Sequence, residues 1–159
     1  ALAKIGLRLG ADVPACLLSE TLLMSGVGET VHPVETSLDF GVLLINPGIP
    51  ISTPYFFRQR DGSFSISVNE EVPLNREDFC SFLRTKKNDL QDTVIELEPQ
   101  IAIVLDAISA QVGCRLSRMS GSGATCFGIF NSEAAAISAA YTVSSEHTDW
   151  WVQGTRFLN

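Results

Sequence analysis

The chain has 159 residues, 45% of them hydrophobic and 18% charged, with 11 Lys+Arg against 18 Asp+Glu for a net charge of −7. Its apolar runs, such as residues 41–45, fall far short of the roughly 20 residues that span a bilayer, and no basic cluster exceeds Lys86-Lys87. A helical membrane protein, a nucleic-acid binder working by phosphate neutralisation and a basic membrane-surface helix are excluded.

Taken in chain order, Leu2, Ile5 and Leu9 share one helical face with no capping residue ahead of them. This reads as a helix entered midway, and the chain as the C-terminal piece of a longer protein. Gly10 reads as the helix C-cap, Asp12 as the N-cap of a new helix and Pro14 as part of its first turn. Residues 16–25 carry a weak strand pattern, and 26–31 a glycine turn into a second short strand. His32, ahead of Pro33, is a turn residue. Residues 41–45 form a buried strand that Asn46-Pro47-Gly48 turns out of. Ser52-Thr53-Pro54 starts a helix with Tyr55-Phe56-Phe57 in its first turn. Asp61-Gly62 is a turn, and 63–68 alternate as an exposed strand or extended loop.

Residues 76–86 read as an amphipathic helix with Phe79, Phe82 and Leu83 inward. The strongest helical pattern covers 93–112, through Ile95, Ile101, Val104, Leu105, Ile108 and Val112; Pro99 moves its regular start to near Glu98. Strands follow at 115–119 and 124–130, joined by a turn over 120–123. A helix over 133–144, capped by Asn131-Ser132, and a strand over 150–157 complete the chain. Trp150 and Trp151 read as core and sheet cover, and Cys126 as packing. From residue 41 this order predicts an α+β fold, a ferredoxin-like antiparallel sheet with helices on one face. The expected domain covers 36–159, with 1–35 the edge of another whose exposed apolar face a second copy of the chain covers.

The cysteines, Cys16, Cys80, Cys114 and Cys126, contain no CxxC pair, and His32 and His147 are the only histidines. No metal site is expected; thiols in a reducing cytosol are.

Four stretches carry chemistry. Residues 119–128, MSGSGATCFG, form either a hairpin turn or a nest whose amides converge on an anion, with hydroxyls from Ser120, Ser122 and Thr125. In LGADVP, Asp12 is either a cap or an ionised carboxylate that orients a hydroxyl and accepts its proton. SGVGE at 25–29 is a glycine turn. ISTPYFF at 51–57 is a helix start, or an aromatic wall for a flat ring with Thr53 as polar anchor.

Together LGADVP, GVGE, NPGIPISTPYFF, NDLQDTVIELEPQI and MSGSGATCFGIF, in this order, resemble the C-terminal part of the GHMP kinase superfamily, and within it the kinases acting on diphosphocytidyl methylerythritol. The resemblance runs from about Leu2 to Phe157. It implies transfer of the ATP γ-phosphoryl group to the 2-hydroxyl of that small-molecule substrate, in the non-mevalonate route to isoprenoid precursors in a bacterial cytoplasm. It implies that residues 1–35 are the tail of an N-terminal α/β domain and 36–159 the superfamily's C-terminal domain. Asp12 matches the catalytic aspartate, Val27 a substrate-lining residue, and Thr53, Pro54 and Phe57 residues beside the substrate pocket. Ser120, Gly121, Ser122, Gly123, Ala124 and Thr125 match the motif supporting the phosphate loop. ATP and Mg²⁺ are then held mainly by an N-terminal part, and the 159 residues alone are expected to be inactive. Two other readings stay open: a non-catalytic ferredoxin-like metabolite-binding module, and a superfamily kinase for another small alcohol.

Overall fold

The computed structural model describes the chain except residues 1, 19, 27, 35–37, 66–70 and 158–159. It divides into two compact units, one built on residues 1–38 and one on Asp39–Phe157.

In the first unit, α1 (Leu2–Leu9) and α2 (Val13–Leu18) precede a hairpin of β1 (Leu22–Ser25) and β2 (Thr30–Pro33). The Gly10 amide closes α1 on the Gly6 carbonyl at 3.1 Å. Gly10 is thus the C-cap residue, as expected, although it is not among the positive-φ glycines, so the cap is not a left-handed one. His32 is a strand residue paired with Leu23, not a turn residue, because the antiparallel register runs on to Leu22 opposite Pro33. At this final position the missing proline N–H costs no ladder bond within the sheet. Ile5, Leu9, Leu17, Leu23 and Met24 are exposed.

The second unit contains β3 (Gly41–Asn46), α3 (Thr53–Gln59), α4 (Arg76–Thr85), α5 (Gln91–Leu97), α6 (Gln100–Ser109), β4 (Cys114–Met119), β5 (Cys126–Phe130), α7 (Glu133–Glu146) and β6 (Trp151–Arg156). The sheet order is β4-β5-β3-β6, and every neighbouring pair is antiparallel. This is the split βαβ arrangement, with α3, α4 and α5 inserted between its first strand and first helix. Successive strand residues point to opposite faces. Leu43 and Ile45 of β3 therefore join Ile101, Val104 and Ile108 of α6 and Ala136, Ala139 and Val143 of α7 in one buried cluster. The alternate positions Phe40 and Val42 are buried as well. There α4 adds cover, stacking Phe79 on Phe40 with ring centroids 5.9 Å apart.

Two elements depart from the sequence reading. The helix expected over 93–112 is two helices. Pro99 forces Glu98 off helical geometry, to φ −131 and ψ 79, and α6 starts afresh at Gln100. It stops at Ser109, leaving Val112 94% exposed outside it. In α4 the buried residue is Cys80, while Phe79, Phe82 and Leu83 are half-buried. Of the alternating 63–68 stretch, 63–65 are irregular and 66–68 lie outside the described residues. The caps on α4 and α7 are formed by side chains: Asn75 Oδ1 accepts the Asp78 amide at 2.9 Å, and Ser132 Oγ accepts the Ala135 amide at 3.2 Å. Trp150 is buried and stacks on His147 at 3.7 Å. Trp151 is exposed.

Candidate functional site

The loop between β4 and β5 carries Ser120, Gly121, Ser122, Gly123, Ala124 and Thr125. Gly121 and Gly123 sit at φ +53 and +90, a backbone region that residues with a Cβ rarely enter. The Ser120 amide donates to the Thr125 carbonyl at 2.8 Å and the Gly123 amide to the Ser120 carbonyl at 2.9 Å. Two amides of the expected nest are thus spent inside the loop, so the stretch is a hairpin turn with a braced interior. Its outer side is open at Gly121, where an added Cβ meets nothing within 4 Å.

Side chains from three other elements hold this loop. Asn46, at the end of β3, donates from Nδ2 to Thr125 Oγ1 at 3.0 Å and accepts the Gly48 amide on Oδ1 at 2.9 Å. Asn88 donates from Nδ2 to the carbonyls of Met119 and Gly121 at 2.9 and 2.7 Å. Gln91, at the start of α5, accepts the Met119 amide at 2.9 Å. At the tip, Ser122 Oγ shares a 2.7 Å hydrogen bond with Thr53 Oγ1.

Thr53 opens α3, with Ser52 as N-cap and Pro54 in the first turn. Phe56 is the buried anchor of this helix, while Tyr55 and Phe57 are exposed. Phe57 lies 6.5 Å from Phe64, centroid to centroid, with the rings tilted by 45°. Arg60 covers Phe64 at 4.0 Å and donates to the carbonyls of Asp89, Gly62 and Ser63. The Asp89 carboxylate accepts the amide and hydroxyl of Ser65 at 2.7 and 2.5 Å. These hydrogen bonds from Ser65, with a smaller contribution from Lys87, hold the Asp89 carboxyl below its ordinary range. Cys126, buried in β5, has its thiol pushed up to about 12 by desolvation, which leaves it unreactive.

In the first unit, Asp12 is exposed just ahead of α2, and its carbonyl accepts the Cys16 amide at 3.0 Å. Gly28, at φ +98, passes so close to this stretch that a Cβ would fall onto the Ala11 carbonyl oxygen. The LGADVP and GVGE stretches are therefore packed on one another. Val27 lies outside the described residues.

Thr53 and Ser122, predicted for different roles, are in direct contact. Asn46, Asn88 and Gln91 were missed. Their signal was the side-chain amide itself, which in Asn46-Pro47-Gly48 was read only as part of a turn.

Residues 73–148, from ahead of α4 to just past α7, match the family model of the GHMP kinases C-terminal domain. The chain is 42% identical over 155 residues to 4-diphosphocytidyl-2-C-methyl-D-erythritol kinase of Cereibacter sphaeroides, covering 96% of this chain and 56% of the relative. It is 40% identical over 162 residues to the same-named kinase of a Chelativorans species, covering 98% and 53%. A crystal structure of 4-(cytidine 5'-diphospho)-2C-methyl-D-erythritol kinase superposes with a TM-score of 0.78 at 27% identity, covering all of this chain (100%) and 58% of that one. A homoserine kinase from Cytophaga hutchinsonii, at 14% identity and TM-score 0.55 over 93% of this chain and 51% of that one, shares the fold alone. The chain spans about half the length of the curated relatives it matches. The strand order of the second unit, the matched family model and these relatives agree: the chain belongs to the GHMP kinase superfamily and carries its C-terminal domain.

Proposed function

We propose that the full-length protein carrying this chain transfers the γ-phosphoryl group of ATP to the 2-hydroxyl of diphosphocytidyl methylerythritol, in the bacterial cytoplasm. The observation that carries the reading is the Thr53–Ser122 contact. It joins the helix that bears the substrate-side residues Thr53, Pro54 and Phe57 to the loop assigned to phosphate support. Relatives named for this reaction are about 40% identical across nearly the whole chain.

In this reading Asp12 orients the acceptor hydroxyl and takes its proton as the new phosphorus–oxygen bond forms. Phe57 presents an exposed ring to the flat base, Val27 lines the substrate, and Thr53 fixes the loop that flanks the phosphates. ATP and Mg²⁺ are assigned mainly to the part of the relatives that this chain does not span; a metal ion supplies charge neutralisation on the phosphates when bound. The described residues contain no group of three or more His, Cys, Asp or Glu fit to hold a metal ion. The exposed Ile5, Leu9 and Leu17 suit a surface that the remainder of the full-length protein packs against. The 1–35 stretch is accordingly assigned to the N-terminal kinase domain.

The test is phosphorylation of diphosphocytidyl methylerythritol by the full-length protein with ATP and Mg²⁺, followed by phosphorus NMR. A new phosphomonoester signal is expected. Turnover of homoserine or mevalonate but not of this alcohol would sink the substrate assignment; turnover of none of them would sink the kinase.

A further inference from the structure

The loop from Ser120 to Thr125 has two feet, and at the first the carbonyls on either side of Ser120 are both gripped by one carboxamide. Asn88 spends both amide hydrogens on the Met119 and Gly121 carbonyls. Its Oδ1 in turn accepts the Leu90 amide at 3.0 Å. With the oxygen committed to an N–H, the orientation of the group is fixed. The segment it grips leads into Gly121 and Gly123, both at positive φ. Glycines there adopt other wells readily unless something outside the loop selects one. Asn88 makes that selection from the turn ahead of α5.

Resting on the kinase reading above, we propose that Asn88 is the positioning residue of the phosphate-supporting loop, setting nucleotide affinity while touching neither the alcohol nor the helix that faces it. That helix, α3, has its own anchor in the buried Phe56 and meets the loop tip through the exposed Thr53–Ser122 bond. Loss of Asn88 therefore affects the nucleotide side and leaves the alcohol side in place. Asp is nearly isosteric with Asn but has no donors and sets an anionic oxygen against two carbonyl oxygens. Ala removes the group altogether.

The experiment uses the full-length protein and measures two quantities. Calorimetric titration with a non-hydrolysable ATP analogue needs no alcohol. Steady-state kinetics then separate the KM for ATP from the KM for diphosphocytidyl methylerythritol. For both Asn88→Asp and Asn88→Ala the analogue Kd and the KM for ATP should rise about tenfold or more, with the KM for the alcohol within about twofold. An unchanged analogue Kd overturns the proposal, and so does an equal rise in both KM values. Should wild type bind the analogue with the expected variant effects yet not phosphorylate this alcohol, the substrate reading fails and the positioning role stands. If wild type does not bind the analogue, both fail. If neither of these variants folds, Asn88→Ser, which keeps a polar group too short to span the Met119 and Gly121 carbonyls, is read in the same way, and an unchanged Kd there overturns the proposal.

Discussion

Thr53 Oγ1 and Ser122 Oγ share a hydrogen bond of 2.7 Å between residues 69 positions apart. The bond joins the first turn of α3 to the tip of the β4–β5 loop. Both groups are exposed, so its net worth is about 0.5–1 kcal/mol. A double-mutant cycle of Thr53→Val and Ser122→Ala, read by urea denaturation, should give a coupling energy of that size. Strictly additive single effects would show that the two hydroxyls do not depend on each other.

Asp12 separates a chemical role from a structural one. Asn caps a helix about as well as Asp but cannot act as a base. In the full-length enzyme Asp12→Asn should lower kcat by about 10² to 10⁴ with KM within a few fold. Its melting temperature should hardly move. Near-normal kcat with a lower melting temperature would make Asp12 a cap and nothing more.

Gly154 lies beneath α7, where an added Cβ would stand 2.7 Å from Ile137 Cα and 2.8 Å from the Ala136 carbonyl oxygen. These are backbone atoms and cannot swing aside. Gly154→Ala should cost about 1–3 kcal/mol, measured by thermal melting. A neutral result would mean that α7 does not lie this close to β6.

Asp89 gives the fold an acid dependence of known sign. Its folded pKa is below the unfolded value of about 3.9. The stabilisation is therefore fully present above about pH 4 and is lost as pH falls through the folded value. The melting advantage of wild type over Asp89→Asn should be constant from pH 7 to about pH 5 and shrink below pH 4. A gap that widens on acidification would contradict the Ser65 bonds as its source.

Much of the fold is legible in the order of residues along the chain. A continuous apolar run places β3, because a strand covered on both faces is apolar throughout. The cap at Ser132 places α7, and amphipathic spacing places α4, whose Asn75 cap was not read in the sequence. Elsewhere local pattern misleads. Helical spacing continues through Pro99, and although the proline marked the start of α6 near Glu98, the spacing hid α5 as a separate helix ahead of it. His32 next to Pro33 looks like a turn until a partner strand supplies Leu23 opposite it.

The residue types and their order determined the superfamily, the α+β class, and the pairing of a glycine-rich turn with hydroxyl donors, because these depend on pattern along the chain. What tertiary structure alone decided is which groups serve the loop. Asn46, Thr53, Asn88 and Gln91 come from a strand, a turn and two helices. A carboxamide beside a turn looks the same in sequence whether it caps its own backbone or reaches a distant loop, as Asn88 does across 31 and 33 positions. Hydrogen bonds form over about 3 Å of space, and only the packing of α3 and α5 around the sheet brings those donors and acceptors within that distance.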